Sequence, residues 1–352
     1  MITMNMPIWL DQTLNMAISR QFAAEELAEI AGMLADLGLG QSVISLDEWQ
    51  HNQPSLAAVQ KCLGLSGLLT LSECNLQLAQ KAGIEQVILV CSIEEQNGLV
   101  AKLQSVLPAA KEQDLKVSLL LEVAGAFTET LLSGLAATCR QYSIAAVNYW
   151  DKTGQGNPFA VHKQISILKS RLACPVGIAA GNAYGLATAN TLAALKAGAG
   201  QVIAAIGGIG GCAPWEEVFM AAREIGELEA EVPRDLAGTC RQIFAAFNLP
   251  VAVDKAIIGP AIFAHESGMH VDGVSKMPEI YEPFAPELVG LTRQLVVGKH
   301  SGTATLRTKF AAWGISLEEE ESNRLLAGVR SLAVRKKTAI SDNELRKLYL
   351  SG

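Results

Sequence analysis

The segment Lys116–Asp151, KVSLLLEVAGAFTETLLSGLAATCRQYSIAAVNYWD, holds one complete repeat of the pattern that decides the fold. Lys116–Leu121 and Ala145–Tyr149 are short, mostly apolar runs, which are typical of buried strands. Between them, Thr128–Gln141 repeats its apolar residues with a helical period. A strand, an amphipathic helix and a second strand in this order predict a βαβ unit of a parallel sheet.

The same alternation recurs along the chain to about residue 228 and predicts eight strands. They are Pro7–Leu10, Ser42–Leu46, Leu68–Leu71, Gln86–Cys91, Lys116–Leu121, Ala145–Tyr149, Pro175–Ala179 and Gln201–Ile206. Most are followed by an amphipathic stretch, such as Ala23–Leu37 or Gly185–Ala197. Eight βα units in about 220 residues are typical of a (β/α)8 TIM barrel. A doubly wound sheet is less favoured, because its glycine-rich first turn is missing from Asp11–Ser19.

The pattern changes after residue 228. Glu229–Asn248 predicts one helix, capped around Pro233–Asp235. An irregular stretch follows to about Gly302, and Leu306–Gly352 returns to a helical period. Ser341 and Glu344 have the spacing of a capping box. We therefore predict an α/β fold in which a TIM barrel at 1–228 is followed by small, mostly helical C-terminal subdomains. These are a linker and lid at 229–302 and a helical subdomain at 303–352.

Composition argues against several functions. Charged residues make up 18% and the net charge is −7, so no broad basic face is expected to bind nucleic acid. No run reaches the roughly 18 apolar residues of a membrane span, and no secretory signal is visible, so a cytoplasmic location is expected. The seven cysteines are odd in number and include no C-x-x-C pair, which indicates reduced and mostly buried thiols.

Barrel enzymes carry their catalytic groups at the C-terminal ends of the strands, and none of these positions holds one of the five histidines. An imidazole site for Zn²⁺, Mn²⁺ or Fe²⁺ is therefore not predicted in the barrel. Asp11, Glu122 and Asp151 could gather around a hard cation such as Mg²⁺, or could cap helices at the rim. The Gly207–Gly211 loop could hold an anion, or could be a tight turn that needs positive φ.

Three of the five histidines lie instead in the irregular stretch. It contains HESGMHVDG at 265–273, Tyr281 and GKHSG at 298–302. Histidine and tyrosine in one loop region could supply general acid and base chemistry near neutral pH, or could form a structural polar network.

The motifs HESGMHVDG, YEPFAPELVG and VVGKHSG within Lys255–Gly302, together with Gly185–Gly198, resemble the nitrogen-fixation-type homocitrate synthases. These belong to the family of 2-isopropylmalate, citramalate and homocitrate synthases, and the resemblance covers nearly the whole chain. It implies a TIM barrel with helical subdomains, a domain-exchanged dimer, and the condensation of acetyl-CoA with a 2-oxo acid. In that reaction a divalent metal and an arginine polarise the keto group, while a base removes a proton from the acetyl methyl.

The positions that hold the metal in that family are replaced here. The family's first strand is followed by D-T-T-L-R-D, whose arginine is catalytic and whose last aspartate binds metal, and these two are Asn15 and Met16. Its two metal-binding histidines after the seventh strand are Ala179 and Gly181. The eighth loop, Gly207–Pro214, is short and lacks the family's Asn, Glu and Arg. The resemblance therefore predicts no metal in this chain's own barrel and a divalent metal only in an intact partner.

Three residues near the strand ends are the expected substrate contacts. Asp151 and Asn182 match the family, and Lys152 stands where the family has the threonine that meets the oxo acid. Through them the resemblance predicts contact with acetyl-CoA or a 2-oxo acid.

The lid region keeps the family's pattern. His270 and Tyr281 match the histidine and tyrosine that reach into the active site of the neighbouring subunit, and His265 lies beside them in the sequence. A chain losing its function throughout should lose the lid and the barrel together. The resemblance thus favours catalytic residues that act in trans.

Three hypotheses remain open from the sequence. The first is a catalytically degenerate subunit, in a homo- or hetero-dimer, that lends His270 and Tyr281 to an intact homocitrate synthase paralogue. The second is a non-catalytic binding or regulatory protein that holds an acyl-CoA or a carboxylate, with Lys152 as the cation. The third is an active acyltransferase with altered ligands.

Overall fold

A computed structural model of the chain describes residues 6–52, 54–71, 75–92, 96–123, 125–225, 228–265 and 282–351. His270 and Tyr281 therefore lie outside the described residues. The chain divides into two compact units, Met1–Pro250 and Val251–Gly352. The finer division at residues 228 and 302 stays a prediction.

The first unit is a closed barrel of eight parallel strands in sequence order, with the eighth beside the first. The strands are β1 Ile8–Asp11, β2 Gln41–Ser45, β3 Gly64–Thr70, β4 Gln86–Ser92, β5 Lys116–Glu122, β6 Val147–Asp151, β7 Val176–Ala180 and β8 Gln201–Ala204. The predicted TIM barrel is confirmed, and each predicted strand overlaps an observed one.

Ten helices of the first unit are described around and after these strands. They are α1 Thr13–Ser19, α2 Ala24–Asp36, α3 Leu46–Asn52, α4 Gln77–Ala82, α5 Gln96–Glu112, α6 Glu129–Tyr142, α7 Pro158–Arg171, α8 Ala187–Lys196, α9 Trp215–Glu224 and α10 Leu236–Ala246. In the described part of the chain, no helix combines the length and apolarity needed to cross a bilayer.

Several predicted boundaries were wrong. β3 begins at Gly64 and not at Leu68, and β6 is Val147–Asp151 and not Ala145–Tyr149. Within β3, Gly67 lies against Leu46, since a Cβ there would be 2.5 Å from a Leu46 methyl. β8 ends at Ala204 and not at Ile206, because the chain turns into a 3₁₀ helix with Gly207 at φ +62°. The helix predicted at Glu229–Asn248 begins only at Leu236, and its predicted cap is confirmed at Asp235, which accepts a hydrogen bond from the Gly238 amide.

The barrel interior contains an apolar layer. One buried cluster takes one residue from each of six strands, namely Leu10, Val43, Ile88, Leu120, Ala179 and Ile203. Leu68 of β3, Val90 of β4 and Trp150 of β6 pack against it. Since only the lumen can bring side chains of so many strands together, these residues fill the barrel as a packed core.

The second unit contains a two-stranded parallel sheet and a helical core. The elements are β9 Ala264–His265, β10 Gln294–Leu295, α11 Thr303–Ala311, α12 Glu319–Lys336 and α13 Asp342–Ser351. Fully buried Phe310 lies in the core that these helices share. The predicted capping box is confirmed, since the Ser341 amide donates to Glu344 at 2.9 Å and the Glu344 amide donates to Ser341 Oγ at 3.4 Å.

Candidate functional site

Asp11 closes β1 at the C-terminal rim of the barrel, where barrel enzymes place their chemistry. Its side chain is buried, and Oδ2 accepts hydrogen bonds from the Leu14 amide and from Ser42 Oγ, both at 3.2 Å. Oδ1 has no hydrogen-bond partner among the described residues. Burial raises the pKa of Asp11 to about 6. The carboxyl thus caps the start of α1 and holds its proton in mildly acidic solution.

Asn15 and Met16 of α1, which the resemblance aligns with the family's arginine and metal-binding aspartate, contact protein. Asn15 Oδ1 accepts a hydrogen bond from the Ser45 amide at 2.7 Å, which ties α1 to the end of β2. The Met16 side chain lies against the β8 loop, since a Cβ on Gly210 would be 2.8 Å from its sulfur. A thioether is a poor ligand for hard divalent cations, so this position is built for packing.

The end of β7 is tightly packed at the two positions that the resemblance aligns with metal-binding histidines. Ala179 belongs to the apolar cluster of the lumen. At Gly181 a Cβ would lie 2.5 Å from the Asp151 carbonyl oxygen and 2.9 Å from the Gly154 nitrogen. The Gly181 amide donates to that same Asp151 oxygen at 2.8 Å. Because the backbone of β7 rests directly on the loop after β6, no side chain fits at residue 181.

The amides of Gly207, Gly208 and Gly211 donate to acceptors within the protein. The Gly207 amide donates to the buried Glu216 carboxylate at 2.8 Å, and the Gly208 and Gly211 amides donate to backbone oxygens at 3.1 and 3.0 Å. Glycines 207, 208, 210 and 211 all have positive φ. A carboxylate under the loop repels an anion, so the structure favours the tight turn over the anion site.

Cys212, at the end of this loop, is a rim residue that the sequence reasoning missed. Its thiol donates to Gln12 Oε1 at 2.8 Å. Burial and the nearby charge of Asp11 raise the pKa of Cys212 to about 12, so the sulfur stays a neutral thiol. In the sequence, only its position directly after the glycine-rich loop that follows a barrel strand indicated that Cys212 lies at the rim.

Of the three predicted substrate contacts, Lys152 is the most exposed. Its ammonium lies 3.1 Å from Glu122 Oε1 and 5.2 Å from the centre of the Trp150 ring. The side chains of Lys152 and Glu122 are 52% and 30% exposed. The positive charge is therefore already paired at the rim, which weakens the hypothesis that Lys152 holds a carboxylate or an acyl-CoA.

Asp151 and Asn182 are occupied by neighbouring backbone. The Asp151 carboxylate is buried and accepts from the amides of Gln155 and Gly156 at 3.2 and 2.9 Å. Asn182 Oδ1 accepts from the Ala187 amide at 3.1 Å, which caps α8. The structure brings the three residues to one sector of the rim, where two of them stabilise loops.

The rim does not fit the divalent metal that the resemblance implies in intact relatives. Across the described ranges, no group of three His, Cys, Asp or Glu residues is placed to hold a metal ion. Asp11, Glu122 and Asp151 therefore do not gather into a Mg²⁺ site. Met16 packs against Gly210, and the backbone at Gly181 leaves no room for a side chain. Neither position can therefore supply a ligand for a hard divalent metal.

The lid motifs are described only at their edges. The backbone of His265 pairs with Leu295 in the small parallel sheet. Glu282, which follows Tyr281 in the sequence, has a side chain only 3% exposed and forms a bidentate ion pair with Arg293, with Nη2 2.7 Å from Oε2 and Nε 3.0 Å from Oε1. The sequence reasoning missed Arg293, because only the fold brings it to Glu282.

Comparison with known proteins covers both units. A family model described as HMGL-like matches residues 7–241, and one described as homocitrate synthase post-HMGL domain-like matches residues 257–337. The chain is 33% identical to 2-isopropylmalate synthase 2 of Caldanaerobacter subterraneus subsp. tengcongensis over 346 residues, which span 93% of this chain and 90% of the relative. It is 31% identical to homocitrate synthase 1 of a Nostoc species, over 93% of this chain and 92% of the relative.

Among solved structures, the HMG-CoA lyase of Brucella melitensis is similar in fold. The TM-score is 0.56 at 15% identity, and the match covers 69% of this chain and 98% of the lyase. At this identity the similarity supports the barrel architecture alone.

Proposed function

The chain belongs to the HMGL-like family, with relatives that include homocitrate and 2-isopropylmalate synthases, and we propose that it is a catalytically degenerate subunit of a hetero-oligomeric homocitrate synthase of the nitrogen-fixation type. The observation that carries the proposal is the filled rim of its barrel. Gly181 has no room for a side chain, and Ala179 belongs to the packed lumen. The condensation itself is therefore assigned to the barrel of an intact paralogue.

In this proposal the chain contributes the lid residues His270 and Tyr281, with His265 beside them. An imidazole titrates near pH 6.5 and a phenol near pH 10, so both can hold or move a proton at a reacting oxygen or carbon. The family pattern that persists across Lys255–Gly302 supports this role. So does the buried ion pair of Glu282 and Arg293, which anchors the residue following Tyr281.

The paralogue supplies what this barrel lacks, namely the arginine, the divalent metal and the pocket for the 2-oxo acid. Acetyl-CoA and the 2-oxo acid would bind there. In this chain the three predicted substrate contacts have structural roles at the rim. Asp151 and Asn182 bind backbone amides, and Lys152 pairs with Glu122.

Co-expression with an intact paralogue tests the proposal. The complex should condense acetyl-CoA with 2-oxoglutarate, and His270→Ala in this chain should lower kcat about 100-fold or more, the usual contribution of a general acid or base. Tyr281→Phe should lower it as well. His51→Ala is the matched control, because His51 is exposed on α3 and bonds only the local Asp47 carbonyl in the described structure.

Two results would contradict the proposal. One is a complex whose turnover is unchanged by His270→Ala. The other is full activity of this chain alone, with a stoichiometric metal bound, which would instead support the hypothesis of an active enzyme with altered ligands.

A further inference from the structure

The barrel lumen becomes polar on the N-terminal side of its apolar layer. In six strands the residue two positions before a member of the apolar layer is polar and uncharged, and strand alternation directs it into the lumen as well. These residues, the polar layer, are Gln41, Ser66, Gln86, Ser118, Asn148 and Gln201. The polar layer lies at the end of the barrel opposite the rim, so it has no part in the proposed function.

Two members of the polar layer flank a glycine. Asn148 of β6 pairs with Gly177 of β7, and Gly177 pairs with Gln201 of β8. A Cβ on Gly177 would lie 2.0 Å from Asn148 Oδ1 and 2.9 Å from Gln201 Cβ. The Asn148 oxygen therefore lies directly over Gly177 and beside the start of the Gln201 side chain.

Both side chains bury an oxygen that lacks a hydrogen-bond donor. Asn148 is fully buried, and Gln201 is 9% exposed. Asn148 Nδ2 donates to the Leu119 carbonyl at 3.3 Å, which determines which end of this amide is the oxygen. Neither Asn148 Oδ1 nor Gln201 Oε1 has a hydrogen-bond partner among the described residues. A buried amide oxygen without a donor is costly, so both acceptors require one.

Water is the donor that fits this end of the lumen. A buried water makes two to four hydrogen bonds and can donate two of them. A cation would be buried beside uncharged side chains alone, which is unfavourable. Solvent also reaches this level of the barrel, because Ile8, which pairs with Gln201 from β1, is 54% exposed. Water can therefore enter from the N-terminal ends of the strands.

We propose that an ordered water binds in the polar layer and donates one hydrogen bond to Asn148 Oδ1 and one to Gln201 Oε1. The water satisfies two buried acceptors that come from strands on either side of β7. The site also accounts for the glycine at position 177, since a side chain there would displace the Asn148 oxygen. The lumen thus has a dry apolar layer and, on its N-terminal side, a hydrated polar one.

A crystal structure of the native full-length chain, at a resolution that shows ordered water, tests this proposal. We expect a water oxygen about 2.5–3.0 Å from both Asn148 Oδ1 and Gln201 Oε1. Gln201→Leu, which removes one acceptor and keeps most of the side-chain bulk, should lose this water. Gln80→Leu, which changes an exposed glutamine of α4, is the control and should retain it.

The structure of the unmutated chain is decisive by itself, so a variant that fails to fold or crystallise does not prevent the test. A direct hydrogen bond from Gln201 Nε2 to Asn148 Oδ1 would overturn the proposal, because the Gln201 amide would then be the donor. The lack of a water within hydrogen-bond distance of Asn148 Oδ1 would overturn it as well. So would a density peak that rubidium replaces on soaking, which would mark a monovalent cation, or a peak that is unchanged in Gln201→Leu.

Discussion

The barrel rim and the segment Lys255–Gly302 differ in how much of the family's pattern the resemblance finds in them. At the rim, Asn15 and Gly181, which the resemblance aligns with a catalytic arginine and a metal ligand, contact protein: Asn15 accepts from the Ser45 amide, and the Gly181 amide donates to the Asp151 carbonyl. In Lys255–Gly302 the family's motifs persist in the sequence. The difference teaches that these rim positions are filled by packing and hydrogen bonds within this chain.

Introducing a histidine at position 181 of the rim is the change from which we expect the largest loss of stability. Gly181→His should lower the free energy of unfolding by about 4 kcal/mol, because even its Cβ would overlap backbone atoms that cannot move independently. Urea unfolding measures the change. Gly40→Ala is the control, since a Cβ there meets nothing within 4 Å, and it should change stability by less than about 1 kcal/mol. A Gly181→His protein as stable as the parent would show that the rim remains open.

Asp11 gives the rim a pH dependence. Its pKa is about 6 in the folded protein against 3.8 for the ordinary group, so the folded state binds the proton more tightly than the unfolded state. Stability from this group is complete below pH 3.8 and is lost as the pH rises to 6, a fall of about 3 kcal/mol. Asp11→Asn should remove this contribution to the loss of stability with rising pH.

The measurement is the free energy of unfolding at pH 4 and pH 6.5 for the parent and for Asp11→Asn. Asp36→Asn, which changes an exposed carboxylate at the end of α2, is the control. An Asp11→Asn protein with the parent's pH dependence would show that the Asp11 carboxyl is solvated.

The ion pair of Glu282 and Arg293 allows a stability test in the segment Lys255–Gly302. Arg293→Ala should cost about 2 kcal/mol, because it leaves the Glu282 carboxylate buried without its bidentate partner, while the 37% exposure of Arg293 limits the loss. Arg293→Lys keeps the charge but not the bidentate geometry, so its loss of stability should lie between zero and that of Arg293→Ala. Thermal unfolding of the full chain measures both. If both variants match the parent, the lid segment is not anchored by this pair.

Lys152→Ala should have the smallest effect. Its ion pair with Glu122 is half exposed, so the free energy of unfolding should fall by less than about 1 kcal/mol. Lys152→Met, which keeps the stem that covers Trp150, is the matched control. A thermal-shift screen with acetyl-CoA and 2-oxo acids should give the same result for both variants and the parent, and a ligand response lost only in the variants would revive the binding hypothesis.

Much of the fold could be predicted because its signals are local. Strand and helix periodicity in Lys116–Asp151 is set by residues close in sequence, and the barrel followed from repeating it. Some of the details had tertiary causes: the glycine at position 67 of β3 is needed because Leu46 fills the space beside it. The start of the helix after residue 228 has a local cause, because Asp235 caps it by accepting from the Gly238 amide three residues on.

The candidate site was predictable only as a set of substitutions. The resemblance aligns Asn15, Met16 and Gly181 with catalytic residues of the family, but the sequence does not show what these side chains and backbone atoms contact. The Cys212 contact with Gln12 joins residues 200 positions apart, and no periodicity carries that information.

The sequence by itself determined the barrel, the family and the absence of histidine from the strand ends, because these depend on periodicity and residue identity. Only the tertiary structure decided that the rim is closed and that Glu282 is paired with Arg293. The physical reason is the same in each case: steric space, burial and hydrogen bonding depend on atoms that the folded backbone brings together from distant parts of the chain.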